Sequence, residues 1–220
     1  MLDARLNKIF DLVPNCHTVA DIGCDHGHLP AELLLAKKVQ YAIAGDISKP
    51  SLLKAEKYAR LTGLSDKMDT RVGSGLDILS PGEADTVIIA GMGGLLIGEI
   101  LKSAYEKIDK EFFILQPMTS VCELREFLIE NGFEITDEEM AEEGGKIYNI
   151  ICARKGKRAD YDTTFGTCLI EKMHPLLKKQ TIIKKEKLQK ILVQIESSGS
   201  ADTSHIKDKL SKCDSLLERW

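Results

Sequence analysis

The chain has 220 residues, 43% of them hydrophobic and 29% charged, with a formal net charge of −4. This is an ordinary globular composition with enough apolar residues for a full core, which excludes a disordered or fibrous chain. No apolar run approaches the roughly 20 residues that span a bilayer, and Met1-Leu2-Asp3-Ala4-Arg5-Leu6 lacks a signal-peptide core, so a cytoplasmic protein is expected. The six cysteines are scattered without a C-x-x-C pair and read as free thiols of a reducing compartment.

Residues 1–154 alternate strand and helix patterns. Strands are predicted at 18–22, 41–46, 68–72, 86–90, 112–116, 133–140 and 146–153, and helices at 29–38, 50–62, 95–105 and 121–130. Val87-Ile88-Ile89-Ala90 and Phe112-Phe113-Ile114-Leu115 are apolar throughout, as central parallel strands covered on both faces require. Pro50 suits the first turn of a helix that Ser48 can cap. Glu143-Gly144-Gly145-Lys146 reads as the turn of a terminal hairpin.

Arg154-Lys155-Gly156-Lys157-Arg158 reads as a linker, which divides the chain into a domain at 1–154 and a tail at 155–220. The first part carries 16 basic and 25 acidic residues, and the tail 14 and 9. Leu169, Met173, Leu176, Ile183, Leu188, Ile191 and Ile195 recur at helical spacing, with Pro175 either kinking that helix or marking its start. After a break at Ser197-Ser198-Gly199-Ser200, Ile206, Leu210, Cys213, Leu217 and Trp220 follow a 4-3-4-3 spacing, and Asp202, Thr203 or Ser204 can cap the helix that carries them. The tail is therefore expected to be an antiparallel helical hairpin.

Short polar or glycine-rich strings close five successive strands. They are Asp21-Ile22-Gly23-Cys24-Asp25-His26-Gly27-His28-Leu29-Pro30, Gly45-Asp46-Ile47, Gly73-Ser74-Gly75-Leu76, Ala90-Gly91-Met92-Gly93-Gly94 and Leu115-Gln116-Pro117. A glycine turn after a first strand and a carboxylate ending the second is how an open α/β sheet builds a nucleoside pocket. Five βα units closed by a hairpin match the sheet of class I methyltransferases. With the tail, the strings resemble the TrmK family, bacterial tRNA adenine-22 N1-methyltransferases. The resemblance implies an α/β fold with a Rossmann-like seven-stranded sheet, a C-terminal coiled-coil hairpin, S-adenosylmethionine as cofactor and tRNA as partner.

Carried over to these positions, the resemblance sets Asp21, Gly23, Cys24, Asp25 and His26 around the methionine end of the cofactor. Asp46 and Ile47 then hold the ribose, Ser74, Gly75 and Leu76 the adenine, and Ala90, Gly91 and Met92 the transfer side. Asp25 tolerates a left-handed backbone and can accept from the cofactor's amino group; alternatively it only caps the following helix. Leu76 either touches the adenine or packs inward. Gln116 offers a donor and an acceptor that can read an adenine edge, or is a buried glutamine satisfied by backbone. The family more often has aspartate where this chain has Ser74, and asparagine where it has Met118.

Adenine N1 carries a lone pair and no proton, so its methylation needs placement and water exclusion and no obligatory base. Asp25, His26, Gly91 and Gln116 are the candidate catalytic residues, with Asp25 and the backbone at Gly91 stabilising charge that moves onto the ring. No metal site is expected. Lys178, Lys179, Lys184, Lys185, Lys187 and Lys190 can grip phosphates, which makes the tail an RNA-reading arm on a monomer. The alternatives are a tail that oligomerises a small-molecule methyltransferase, and a nucleotide-binding module or nicotinamide-dependent oxidoreductase.

Overall fold

The computed structural model describes residues 2–157, 160–197 and 202–220. Seven strands are present: β1 (Cys16–Ile22), β2 (Val39–Asp46), β3 (Met68–Val72), β4 (Thr86–Met92), β5 (Phe112–Pro117), β6 (Phe133–Glu143) and β7 (Lys146–Lys155). They form one sheet in the order β3-β2-β1-β4-β5-β7-β6. Strands β1 to β5 pair in parallel, while β7 is antiparallel to both β5 and β6. The hairpin closes with Glu143 opposite Lys146, through Gly144 and Gly145 at φ 56° and 75°, the left-handed pair that matches the twist of the strands.

Side chains alternate across the sheet and feed two cores. Val19, Ala42, Ile88 and Ile114 face one side with α1 (Ala4–Leu12), α2 (His28–Leu35) and α3 (Lys49–Leu61). Ala20, Ile43, Ile89 and Leu115 face the other with α4 (Gly94–Ser103) and α5 (Val121–Glu130). Ser48 caps α3 as its spacing predicts, its hydroxyl accepting from the Ser51 N–H at 3.3 Å.

Helix α1 has no counterpart in the sequence reading. Leu2, Leu6, Ile9 and Val13 nevertheless repeat at 4-3-4 spacing, and the Asp3 carboxylate caps the Leu6 N–H at 2.7 Å. The helix is only 9 residues long, so its stripe covers little more than two turns.

The chain divides into two compact units, Met1–Cys168 and Leu169–Trp220, later than the expected boundary after Arg154. A buried ion pair explains why residues 160–168 stay with the first unit. Arg125 of α5 and Glu138 of β6 are 2% and 0% exposed and meet at 2.7 Å. The Tyr161 hydroxyl donates to Glu138, and Arg125 also donates to the Thr163 carbonyl at 3.3 Å. Breaking such a pair leaves an uncompensated buried charge, so the segment is tied to the sheet.

Beyond α6 (Thr167–Glu171), Met173 turns the chain at φ 48°, and Pro175 opens α7 (Pro175–Ser197), so the proline starts that helix and does not kink it. Helix α7 pairs with α8 (Ser204–Leu217) through Leu177, Thr181, Cys213 and Leu216. Salt bridges Lys185–Asp214 and Lys207–Glu196 make the pair antiparallel. Asp202 accepts from the Ser204 N–H at 2.9 Å at the start of α8. Most of the break expected at 197–200 lies outside the described residues. Among the described residues no helix is long and apolar enough to cross a membrane.

Candidate active site

The five strand-end strings meet along the carboxyl edge of the sheet. After β1 the N–H groups of Gly23 and Cys24 both donate to the Gly45 carbonyl, at 2.7 and 3.1 Å, which fastens the first glycine turn to the end of β2. Asp25 sits at φ 50°, the left-handed region its short polar side chain tolerates. Gly27 occupies the N-cap of α2 and no side chain caps that helix, so Asp25 is not the cap. Instead its N–H donates to Asp46 Oδ2 at 3.2 Å, and its own side chain is 72% exposed.

Asp46 is the hub of this edge. Its Oδ1 accepts from the Ser48 N–H at 2.8 Å, and its carbonyl accepts from the Gly73 N–H at 3.1 Å. Two backbone donors thus fix the rotamer of an acceptor group at the sheet edge, with the 76% exposed side chain of Ile47 beside it. In the next loop Ser74 is exposed, whereas Leu76 is buried against Ala84 and Val87, the inward alternative of the sequence reading.

The loop after β4 folds over the first glycine turn. The ladder between β4 and β5 shifts register between Ala90 and Met92, and Gly91 bulges out at φ 79° with open space where a Cβ would stand. The Met92 methyl lies over Gly23, 2.4 Å from where a Cβ on that glycine would project. Gly94 cannot carry a side chain: its Cβ would stand 2.3 Å from the Ser120 carbonyl oxygen.

Gln116 faces the protein interior. It is 0% exposed, and its amide is used internally. Oε1 accepts from Arg5 Nη1 at 2.7 Å and from the Gly91 N–H at 3.2 Å, while Nε2 donates to the Pro117 carbonyl at 2.9 Å. The role of reading an adenine edge is therefore replaced by an inward one: Gln116 holds Gly91. Arg5, which sequence reasoning missed, reaches this point from α1.

Burial raises the Asp21 carboxyl to about 7, with Asp46 adding to the rise and Arg5 opposing it. Burial, helped by the nearby carboxylates, also pushes the Cys24 thiol up, so it lines the turn as a neutral group. His26 is 40% exposed and its Nε2 lies 2.9 Å from Lys54 Nζ of α3. An ammonium can only donate, so that ring nitrogen accepts. Among the described residues no group of three His, Cys, Asp or Glu side chains is placed to hold a metal ion.

In the second unit Lys178, Lys179, Lys187 and Lys190 are exposed. Lys184 and Lys185 are half-buried, and Lys185 is paired with Asp214. Ile183, expected on the apolar stripe, is 51% exposed. The other expected positions in α7, Leu176, Leu188, Ile191 and Ile195, are half-buried, and the fully buried positions are Leu177 and Thr181.

Comparison with known proteins agrees with this geometry. A family model described as a methyltransferase domain matches residues 2–151. The tRNA (adenine(22)-N(1))-methyltransferase of Bacillus subtilis is 35% identical over 99% of this chain and 94% of its own length. The crystal structure of Streptococcus pneumoniae Sp1610, a putative tRNA (m1A22) methyltransferase in complex with S-adenosyl-L-methionine, superposes with a TM-score of 0.89. It is 29% identical over 99% of this chain and 100% of that one. The M. capricolum TrmK structure with S-adenosyl-homocysteine has a TM-score of 0.82, with 28% identity over 99% and 98% of the two chains. With its strand order, its strand-end strings and its helical tail all accounted for, the chain belongs to the TrmK family of tRNA (adenine-22 N1)-methyltransferases.

Proposed function

We propose that this protein methylates N1 of an adenine in tRNA, at position 22 as its relatives are named, using S-adenosylmethionine. The observation that carries the reading is the Asp25–Asp46 hydrogen bond, which joins the first glycine turn to the carboxylate ending β2. The residues fit the donor. Asp46, held by two backbone N–H groups, offers acceptor lone pairs to two ribose hydroxyls. The Asp25 carboxylate faces solvent, where an ammonium group can meet it. Ile47 supplies an apolar face to the adenine, and Met92 a soft thioether over the turn. When bound, the cofactor supplies an electrophilic methyl group on a sulfonium.

The protein's own residues then have three tasks. Gly91, with no side chain and no neighbour within 4 Å of its Cβ position, leaves room for a flat base beside the backbone. Gln116 and Arg5 hold that backbone in place, so the target nitrogen meets the methyl carbon in line. Asp25 and the carbonyls around Gly91 stabilise the positive charge that develops on the ring. His26 stands beside Asp25, 3.4 Å away, at the border of this site. The exposed lysines of α7 hold phosphates, and the adenine leaves its stack to enter. The protein works as a cytosolic monomer.

The test is incubation with labelled S-adenosylmethionine and bulk bacterial tRNA, then digestion and mapping of the modified nucleoside. Label in 1-methyladenosine at position 22 is the expected result. Label confined to small metabolites would overturn the RNA reading and leave a small-molecule methyltransferase.

A further inference from the structure

The family assignment leaves one feature of the catalytic unit unexplained. Residues 1–154 have more acidic than basic side chains, yet α3 carries Lys49, Lys54, Lys57 and Arg60 against a single acid, Glu56. Glu56 turns inward and accepts from the Thr70 hydroxyl at 2.9 Å. The four cations are all exposed, and among the described residues none has a carboxylate within 4 Å.

Lys54, Lys57 and Arg60 follow one another at three-residue spacing, so they share one side of the helix and cover about 9 Å along its axis. The strip starts at the pocket mouth, where Lys54 meets His26 at 2.9 Å.

A second observation lies alongside. The rings of His26, His28 and Tyr58 form a ladder from the pocket mouth along α2 and α3, with centroids 5.7 and 4.6 Å apart in edge-on contacts. His28 is exposed, and Tyr58 and His26 are half-buried. Cations without a carboxylate partner beside part-exposed rings suit a polyanion that carries flat bases, because phosphates meet the ammonium and guanidinium groups while unstacked bases meet the rings. An acidic peptide would use the cations but not the rings.

We propose that the outer side of α3, with the His26–His28–Tyr58 ladder, is an RNA-binding strip of the catalytic unit that holds the nucleotides flanking the methylated adenine. This rests on the RNA reading above and is separate from the lysines of α7. The strip fastens the strand next to the pocket, so the extruded base is presented by a held backbone.

The test is tRNA binding measured against salt for the full-length protein and for Lys57→Glu with Arg60→Glu. Both residues lie away from the pocket, so S-adenosylmethionine affinity and melting temperature are expected to stay unchanged. Binding of tRNA weakens roughly tenfold or more, and the slope of log affinity against log salt falls by about 1 to 2. Lys57→Gln with Arg60→Gln gives a smaller change of the same sign. If the parent protein binds tRNA and both variants keep its affinity and salt slope, the strip is overturned while the proposed function stands. If the parent protein itself neither binds nor methylates tRNA, the underlying reading fails and the strip with it.

Discussion

Arg5 and Gln116 lie 111 residues apart in sequence, yet Arg5 Nη1 donates to Gln116 Oε1 at 2.7 Å. The same oxygen accepts from the Gly91 N–H, so one buried amide couples the first helix to the bulged end of β4. Arg5→Ala removes the outer half of this link. The turnover number is expected to fall about 10- to 100-fold with little change in cofactor affinity, since small misplacements of a reacting group cost rates of that order. Arg5→Lys restores part of it through a single donor. Loss of the cation also lets the Asp21 carboxyl rise further, so the pH range over which stability falls extends to higher pH, which a lesion of packing alone would not do.

Asp46→Ala deletes the acceptor assigned to the ribose. Charge-assisted hydrogen bonds contribute about 1.5–3 kcal/mol each, so S-adenosylmethionine affinity falls about 10- to 100-fold in titration calorimetry. An unchanged dissociation constant would remove Asp46 from the pocket.

The glycines at the end of β4 and the start of α4 fail in different ways. Gly91→Ala meets only the left-handed backbone penalty of about 1–2 kcal/mol, because the space beside it is open. It therefore folds, while methyl transfer drops sharply as the new methyl group occupies the place of the base. Gly94→Ala drives a Cβ to 2.3 Å from the Ser120 carbonyl oxygen, so β5 and its following loop must shift. A loss of roughly 1–3 kcal/mol or more is expected in denaturant unfolding.

Asp21 makes stability depend on pH. Its folded-state pKa of about 7 lies above the ordinary 3.8, so the native carboxyl keeps a proton that the unfolded chain has already released. Stability therefore falls as pH rises through that window and levels off above it, by at most about 4 kcal/mol at 1.36 kcal/mol per unit. Asp21→Asn stays neutral throughout. The melting-temperature advantage of the asparagine variant is expected to grow from about pH 4 to pH 7 and then stay constant; a difference independent of pH would refute the buried neutral acid.

The lysines of the tail separate by exposure. Lys187→Glu with Lys190→Glu weakens tRNA binding and flattens its salt dependence without altering the hairpin. Lys185→Glu faces Asp214 with a like charge and loosens the hairpin by a few tenths to about 1 kcal/mol, as for partly exposed pairs. Circular dichroism melts of the two variants, read beside their tRNA affinities, check the division.

The parallel strands, the β6–β7 turn and the order of the strand-end strings were legible because each is written in neighbouring residues. Apolar runs such as Val87-Ile88-Ile89 mark central strands, and Gly144-Gly145 marks a turn that needs two left-handed residues. The position of Asp46 at the end of the second strand was legible because an apolar run closed by a carboxylate marks where such a strand stops. Other features were decided only by the tertiary structure. Gln116 turns inward because Arg5 and the bulged Gly91 present two donors to it, and neither donor is local in sequence. Most of the apolar positions read in α7 are half-buried, but Ile183 lies outside while Lys184 and Lys185 are half inside, the latter paired with Asp214 of α8. Local periodicity fixes which residues share a face, whereas the partner of that face is set by contacts across long stretches of chain, which only the folded molecule brings together.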